Sequence, residues 1–281
     1  MPLLSAVLRL AARMPLAAMH FFGAGLGVLV YAASPTYRRR LRENLAIAGY
    51  GDAATRRAAI AEAGRGLAEL PRIWFGRDDP DTLVRCDDWG VVEAALAEGR
   101  GLIFLTPHLG CFEISALYGA RRLPLTVLYR PPKRAGLEPL MLAGRSRTSA
   151  RLAPATLAGV KQLLKALKRG EAIGILPDQA PGVGEGDWAD FFGRPAYTMT
   201  LAGRLQQATG AAVVMAFAER LPAGAGYQLH LQRVTADPLT PVLLNRAVEA
   251  VIRLRPAQYF WGYNRYKSPA RSDGTSARND E

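Results

Sequence analysis

The chain has 281 residues, 49% apolar and 21% charged, with a formal net charge of +12. That composition excludes a disordered chain and allows one substantial core, with or without a small attachment. The positive balance favours nucleic acid, anionic lipid or an acidic protein as partner. A host with an arginine-rich proteome would produce the same charge, and no helix-turn-helix or RNA-binding sheet motif accompanies it, so nucleic acid is set aside.

Leu3 to Ser34 is dominated by Leu, Ala, Val, Phe and Gly, and from Met14 to Ser34 only His20 can carry a charge near neutral pH. That matches the ~20 residues needed to cross the ~30 Å hydrocarbon layer. Arg38, Arg39, Arg40 and Arg42 follow at once, which places this flank on the cytoplasmic side and attracts anionic headgroups. A cleaved signal peptide carries its charge first, the reverse of this order. Gly23, Gly25 and Gly27 leave a buried core helix as the competing reading. Residues 1–42 are therefore expected to be a membrane-associated segment, spanning the bilayer or lying in its interface.

Asp52 to Phe75 alternates small apolar and charged residues at helical spacing, and Val91 to Glu98 is a helix stopped by Gly99. Leu102 to Thr106 is a short apolar run typical of a strand buried on both faces. A turn over Pro107 to Gly110 leads into a helix from about Cys111 to Arg121. Leu125 to Tyr129 is a strand, Leu157 to Arg169 an amphipathic helix, and Ala172 to Leu176 a strand ending in Pro177-Asp178-Gln179. A Gly-rich loop is expected over Ala180 to Asp190, then a helix over Met199 to Thr209. Strands Ala212 to Ala218 and Gln228 to Val234 are joined by a turn, and Val242 to Arg255 is the last long helix. The alternation predicts an α/β fold, with a mixed, mostly parallel sheet flanked by helices and an N-terminal apolar membrane-associated helix. Residues 43–267 form the domain, and 268–281 read as a disordered polar tail.

The chemistry concentrates in Thr106-Pro107-His108-Leu109-Gly110-Cys111-Phe112-Glu113. The stretch follows a strand and opens a helix, so His108 lies at the carboxyl edge of the sheet, where α/β proteins bind ligands. Gly110 permits a sharp turn beside the imidazole. A ring that folds back toward the first helical turn could give one N–H to Glu113, leaving the other nitrogen to take a proton from a hydroxyl. The same residues would also serve as a favourable helix start. The other two histidines, His20 and His230, read as structural. Cys86 and Cys111 make no metal-ligand spacing, and a reduced, cytoplasm-facing chain is the simpler reading.

From these residues outward the sequence resembles the bacterial lipid A biosynthesis (lauroyl/myristoyl-type) acyltransferases, within the wider lysophospholipid and glycerolipid acyltransferases. Their mark is a His, four residues, then an acid, here His108 to Glu113. Further blocks resemble the family in order. They are Arg42-Glu43-Asn44-Leu45, then Tyr129-Arg130-Pro131 with Arg145 and Arg147, then Gly174 to Gln179. Phe191 to Pro195 with Thr198 and Gln258 to Lys267 complete the series. The resemblance implies a glycerolipid-acyltransferase-like fold at the bacterial inner membrane, facing the cytoplasm. It implies an acyl carrier protein thioester as donor and a membrane glycolipid or phospholipid as acceptor, without metal or cofactor. His108 would be the general base and Glu113 its partner. Arg145, Arg147 and Arg130 would bind phosphate, for which the planar guanidinium fork is suited. Asp178 and Gln179 would shape the site or hold the following loop.

The family usually has Asn-Trp before the acid, whereas this chain has Cys111-Phe112, so an indole and an amide donor are missing there. Donors for the tetrahedral oxygen are expected from backbone N–H groups near Gly110. Cys111 as a covalent nucleophile is unnecessary for direct transfer. Three alternatives stand beside this reading. One is an acyltransferase for another lipid, such as a phospholipid, a mannoside or an amine-bearing lipid. Another is a hydrolase, against which the absence of a Gly-x-Ser-x-Gly elbow counts. The third is a non-catalytic basic peripheral membrane protein.

Overall fold

The computed structural model describes residues 2–132, 138–145 and 149–269. Three helices open the chain: α1 (Pro2–Ala11), α2 (Leu16–Ala33) and α3 (Pro35–Ile47). The Ser34 side chain caps α3 by accepting from Tyr37 N, and Pro35 occupies the first turn, where its missing N–H costs nothing. Next come α4 (Ala53–Ala68), α5 (Leu70–Phe75) and α6 (Pro80–Leu83). The long helical stretch expected here is thus broken at Glu69, just before Pro71.

The α/β part follows as β1 (Val84–Arg85), α7 (Gly90–Ala97), β2 (Leu102–Leu105), α8 (Phe112–Ala120), β3 (Leu125–Tyr129), α9 (Glu138–Arg145), β4 (Arg151–Pro154), α10 (Leu157–Lys168) and β5 (Ala172–Ile175). Then come β6 (Gly186–Phe191), β7 (Arg194–Met199), α11 (Leu201–Thr209), β8 (Ala212–Arg220), β9 (Tyr227–Val234) and α12 (Pro241–Leu254). Seven strands form one sheet in the order β1-β9-β8-β2-β5-β3-β4. Only the β8–β9 pair is antiparallel, which makes the sheet mixed and mostly parallel, as expected. β2 and β5 are buried at every position, in keeping with their unbroken apolar runs. The expected Gly-rich loop is a loop only as far as Glu185. From Gly186 it becomes the antiparallel hairpin β6–β7.

Two apolar clusters cover the two faces of the sheet. One takes in α10, α11 and α12, the other α7 and α8. The chain leaves β2 toward the α8 face and returns from β5 through α11 on the opposite face. Neighbouring strand ends whose connections diverge in this way leave a crevice at the carboxyl edge.

The N-terminal helices are packed onto this body. α2 buries Leu16, Met19, His20, Gly23 and Gly27, one stripe at helical spacing. Its crossing with α4 is close: a Cβ at Gly27 would lie 2.1 Å from Ile60 O, and one at Gly64 2.0 Å from Gly23 O. The outer face of α2 exposes Phe21, Phe22, Val28 and Leu29. By length and composition α2 suffices to cross a membrane, although part of it is buried against the protein.

Candidate active site

His108 sits beyond the carboxyl end of β2, with its side chain 17% exposed. The 70-residue separation in sequence between it and Asp178 vanishes because β2 and β5 are neighbours in register, Leu105 beside Ile175. Asp178 Oδ1 lies 2.8 Å from His108 Nδ1, and Oδ2 accepts the His108 backbone N–H at 3.0 Å. One carboxylate thereby fixes both the ring and the peptide that carries it. Burial would raise the Asp178 carboxyl; the His108 charge and these hydrogen bonds outweigh it and hold the group below its ordinary value. With Nδ1–H given to Asp178, Nε2 keeps its lone pair, and Gln179 Nε2 lies 3.2 Å from it. An amide in that position must present its N–H side, since a carbonyl oxygen would meet lone pair with lone pair.

The carboxylate on the imidazole is therefore Asp178, where the sequence led us to expect Glu113. Glu113 is buried in the first turn of α8 and meets the Arg145 guanidinium instead. Arg145 Nε is 3.0 Å from Oε2 and 3.2 Å from Oε1, and Nη2 also bonds Oε1. The Trp74 indole donates to Glu113 Oε2 at 3.2 Å. The indole donor missing at position 112 is thus present from α5. Gly144 in α9 makes this possible, because a Cβ there would lie 2.5 Å from Trp74 Cγ. Phe112 turns to the imidazole, with ring centroids 4.8 Å apart. Arg130 is exposed just past β3. Arg147 lies outside the described residues.

The turn after His108 is held from several sides. Gly110 has φ +61°, and a Cβ would lie 2.0 Å from Ala218 O, so only glycine fits. Phe260 N donates to His108 O at 3.0 Å, and Ala180 N donates to Tyr263 Oη at 3.0 Å. Asn44, in α3, donates to the carbonyls of Trp261 and Tyr263. α3 therefore buttresses the segment whose Phe260 N–H is bonded to His108 O. Of the backbone N–H groups near Gly110, those of Gly110 and Cys111 are already engaged. Gly110 N donates to Gln258 O at 3.1 Å and Cys111 N to Ala218 O at 2.8 Å.

Behind this turn lies a charged cluster that sequence reasoning missed. Arg220, at the end of β8, is 4% exposed, and Glu69 is 1% exposed. Arg220 Nε and Nη2 bond the Glu69 carboxylate, Nη1 bonds Glu62 at 2.6 Å, and Nη2 reaches Gly110 O at 3.3 Å. His20 Nε2 and Tyr227 Oη lie 3.0 and 2.9 Å from Glu69 Oε2. Burial opposes the Glu69 charge, but Arg220 above all, and His20 with it, bring its carboxyl down to about 2. Cys111 is buried beside this cluster; desolvation first, then the Glu69 charge, push its thiol well up. A neutral, sealed thiol is a poor nucleophile. Nothing local marks either charged residue: Glu69 lies inside the helical stretch expected over Asp52 to Phe75, and Arg220 lies past the strand expected to end at Ala218.

On the α8 side of the sheet an apolar cleft encloses about 810 Å³, part of it open to solvent. Thr106, Phe112, Glu113, Arg145, Leu176 and Leu231 line it near the strand ends, and Leu125, at the start of β3, lines it further down, with Trp89 and Gly119 also in the lining. Gly174 in β5 keeps the floor low, since a side chain there would project into the space. From Leu128 to Leu125 the cleft follows β3 for three residues, ~10 Å at the usual rise of a strand. The arrangement can hold an extended apolar chain with its polar end beside the His108 imidazole. Among the described residues, no cluster of His, Cys, Asp and Glu has the makings of a metal site.

Comparison with known proteins bears on what such a site does. A family model described as bacterial lipid A biosynthesis acyltransferase matches residues 2–268. The lipid A biosynthesis lauroyltransferase of Escherichia coli (strain K12) is 26% identical over 97% of this chain and 92% of its own length. The lipid A biosynthesis palmitoleoyltransferase of the same strain is 28% identical over 93% of this chain and 89% of its own length. A lipid A biosynthesis acyltransferase of Shigella flexneri is likewise 28% identical over 93% of this chain.

Proposed function

Because the chain belongs to the bacterial lipid A biosynthesis acyltransferase family, enzymes that transfer acyl groups to a lipid A-type acceptor, we propose that it moves a fatty acyl chain from an acyl carrier protein thioester to a hydroxyl of a membrane glycolipid, with His108 as general base. The observation that carries this reading is the His108 imidazole, tied at Nδ1 to Asp178 and placed beside the mouth of an apolar cleft. The acyl chain occupies the cleft and brings its thioester carbonyl to the strand ends. The acceptor hydroxyl gives its proton to Nε2 as its oxygen attacks the carbonyl carbon. Collapse of the tetrahedral intermediate breaks the C–S bond, and the imidazolium returns the proton to the departing sulfur. Asp178 keeps the ring in the tautomer that accepts at Nε2 and stabilises the imidazolium. No group on the enzyme is acylated.

Glu113 acts on this reading through Arg145, which it holds at the cleft mouth for a phosphate of the acceptor or carrier. Arg130 and Arg147 are further phosphate-binding candidates. Residues 1–42 act as the membrane-associated segment, 43–267 as the catalytic domain and 268–281 as a polar tail. The outer face of α2 provides an apolar surface for the bilayer, and Arg38 to Arg42 a basic one for anionic headgroups on the cytoplasmic side of the inner membrane. Purified full-length enzyme carrying His108→Ala should lose turnover by ~10²–10⁴-fold, the range of a general base. Turnover equal to wild type in that variant would end the mechanism. Mass spectrometry of lipids from cells with and without the gene identifies the acceptor. A change confined to phospholipids would move the reading to a different lipid acceptor.

A further inference from the structure

We propose that the Gln179 side-chain amide is the oxyanion donor of the reaction, supplying the hydrogen bond that the thioester carbonyl oxygen needs as it becomes negative. The proposal rests on the acyl-transfer reading above and adds to it a catalytic group for the tetrahedral step.

A tetrahedral oxyanion requires a positioned donor, and the backbone from Thr106 to Cys111 has none to spare. Thr106 N is bonded to Ile175 O, His108 N to Asp178, Leu109 N to Pro107 O, Gly110 N to Gln258 O and Cys111 N to Ala218 O. Pro107 has no N–H. Releasing any of these five would dismantle either the sheet edge or the turn that presents the imidazole. The side-chain amide of Gln179 is already within hydrogen-bond reach of the base and carries two N–H groups.

Gln179 follows Asp178 directly, so the residue that fixes one imidazole nitrogen also sets the backbone from which the amide reaches the other. Its nitrogen lies 3.2 Å from Nε2, in the place the acceptor hydroxyl must take. In the resting site the amide thus occupies the lone pair of the base. When the hydroxyl binds, it displaces the amide by about one hydrogen-bond length. The cleft delivers the carbonyl to the same spot, because Thr106 and Leu176, which line it, lie two residues before His108 and three before Gln179 on adjoining strand ends. The carbonyl therefore emerges between base and amide. Gln179 is half-buried and its loop is anchored through Ala180 N to Tyr263, so the side chain can move while its backbone stays fixed.

The proposal assigns each bond. As the hydroxyl oxygen attacks, the carbonyl π pair moves to oxygen, the hydroxyl proton goes to His108 Nε2, and a Gln179 N–H bonds the new anion. The pair returns as the C–S bond breaks and the sulfur takes the proton.

The test uses the full-length enzyme in detergent with Gln179→Met and Gln179→Glu, side chains of similar length without the N–H. Turnover should fall ~10²–10³-fold, as for loss of one oxyanion donor, with the apparent KM for both substrates within about threefold of wild type, since the second amide N–H makes only a weak bond to the bound thioester oxygen and that bond strengthens as the oxygen becomes negative. The second readout needs no turnover. A pantetheine thioester labelled with ¹³C at the acyl carbonyl is bound without acceptor, and its carbonyl stretch is followed by infrared difference spectroscopy. Wild type and His108→Ala should both show a band lowered from its free frequency, and the two Gln179 variants a band at the free frequency. Turnover within fivefold of wild type in Gln179→Met, or a lowered band in both variants, overturns the proposal. Full activity in His108→Ala would instead overturn the general-base reading and leave the infrared result to decide on Gln179.

Discussion

Among the described residues each of the three histidines meets a carboxylate; His230–Glu219, at 2.9 Å, is part-exposed on the β8–β9 pair, while the two more buried pairs, His108–Asp178 at 2.8 Å and His20–Glu69 at 3.0 Å, have opposite surroundings. At His20 the carboxylate is saturated. Arg220 grips it with two nitrogens and Tyr227 adds a hydroxyl, all out of contact with water. At His108 the carboxylate is sealed but the ring is not. Its second nitrogen meets a displaceable amide, and an apolar cleft opens beside it. A His near an acid is thus no mark of catalysis by itself. What separates the two pairs is a second ring nitrogen held only by a displaceable amide, with a route to it.

Substitutions that keep shape and remove charge should separate the pairs most sharply. Asp178→Asn, which destroys the tautomer preference, should lower kcat by ~10³–10⁴-fold, with an unfolding midpoint near that of wild type. Arg220→Met should do the reverse at the other pair. Breaking one side of a buried ion pair costs about 3–5 kcal/mol, read as a lower denaturant midpoint, while the fraction that stays folded keeps a wild-type KM. If Asp178→Asn proved unstable but active, the two pairs would have exchanged roles. Glu113→Gln tests the corrected partnership. If Glu113 acts by holding Arg145, kcat/KM should fall about 10²-fold with the acceptor KM taking the larger share. A loss confined to kcat would put Glu113 back beside the imidazole.

The smallest effect concerns acid. The Glu69 carboxyl lies at about 2 against an ordinary 4.5. A depressed pKa contributes stability that is complete above the ordinary value and lost as pH falls toward the folded one. Thermal midpoints should therefore drop between pH 4.5 and pH 2, and the Glu69→Gln variant should show a shallower drop over the same window.

Much of this was legible in the sequence, for identifiable reasons. Buried parallel strands declare themselves through runs such as Leu102 to Leu105, and His108 was placed correctly because a strand, a glycine turn and a helix succeed one another without a gap. Asp178 is legible as a residue ending a strand at the same edge, yet its pairing with His108 depends on β2 and β5 being neighbours, which local pattern does not encode. Proximity along the chain favoured Glu113 instead. The β6–β7 hairpin was hidden because Gly182, Gly184 and Gly186 carry the composition of a loop, and the last of them opens a strand. Arg220 and Glu69 are 151 residues apart, and nothing local marks either as buried.

The crossing of α2 and α4 has a consequence for substrate choice. Backbones that approach through Gly23, Gly27 and Gly64 leave no slack for one helix to slide on the other. With α2 seated in lipid as proposed, His108 works at a set altitude over the bilayer, as a blade bolted to its bed does. Discrimination among acceptors then includes elevation: a hydroxyl carried at the wrong height on its headgroup is passed over, whatever its chemistry. Clipping off α2 would take away one wall of the protein together with its gauge.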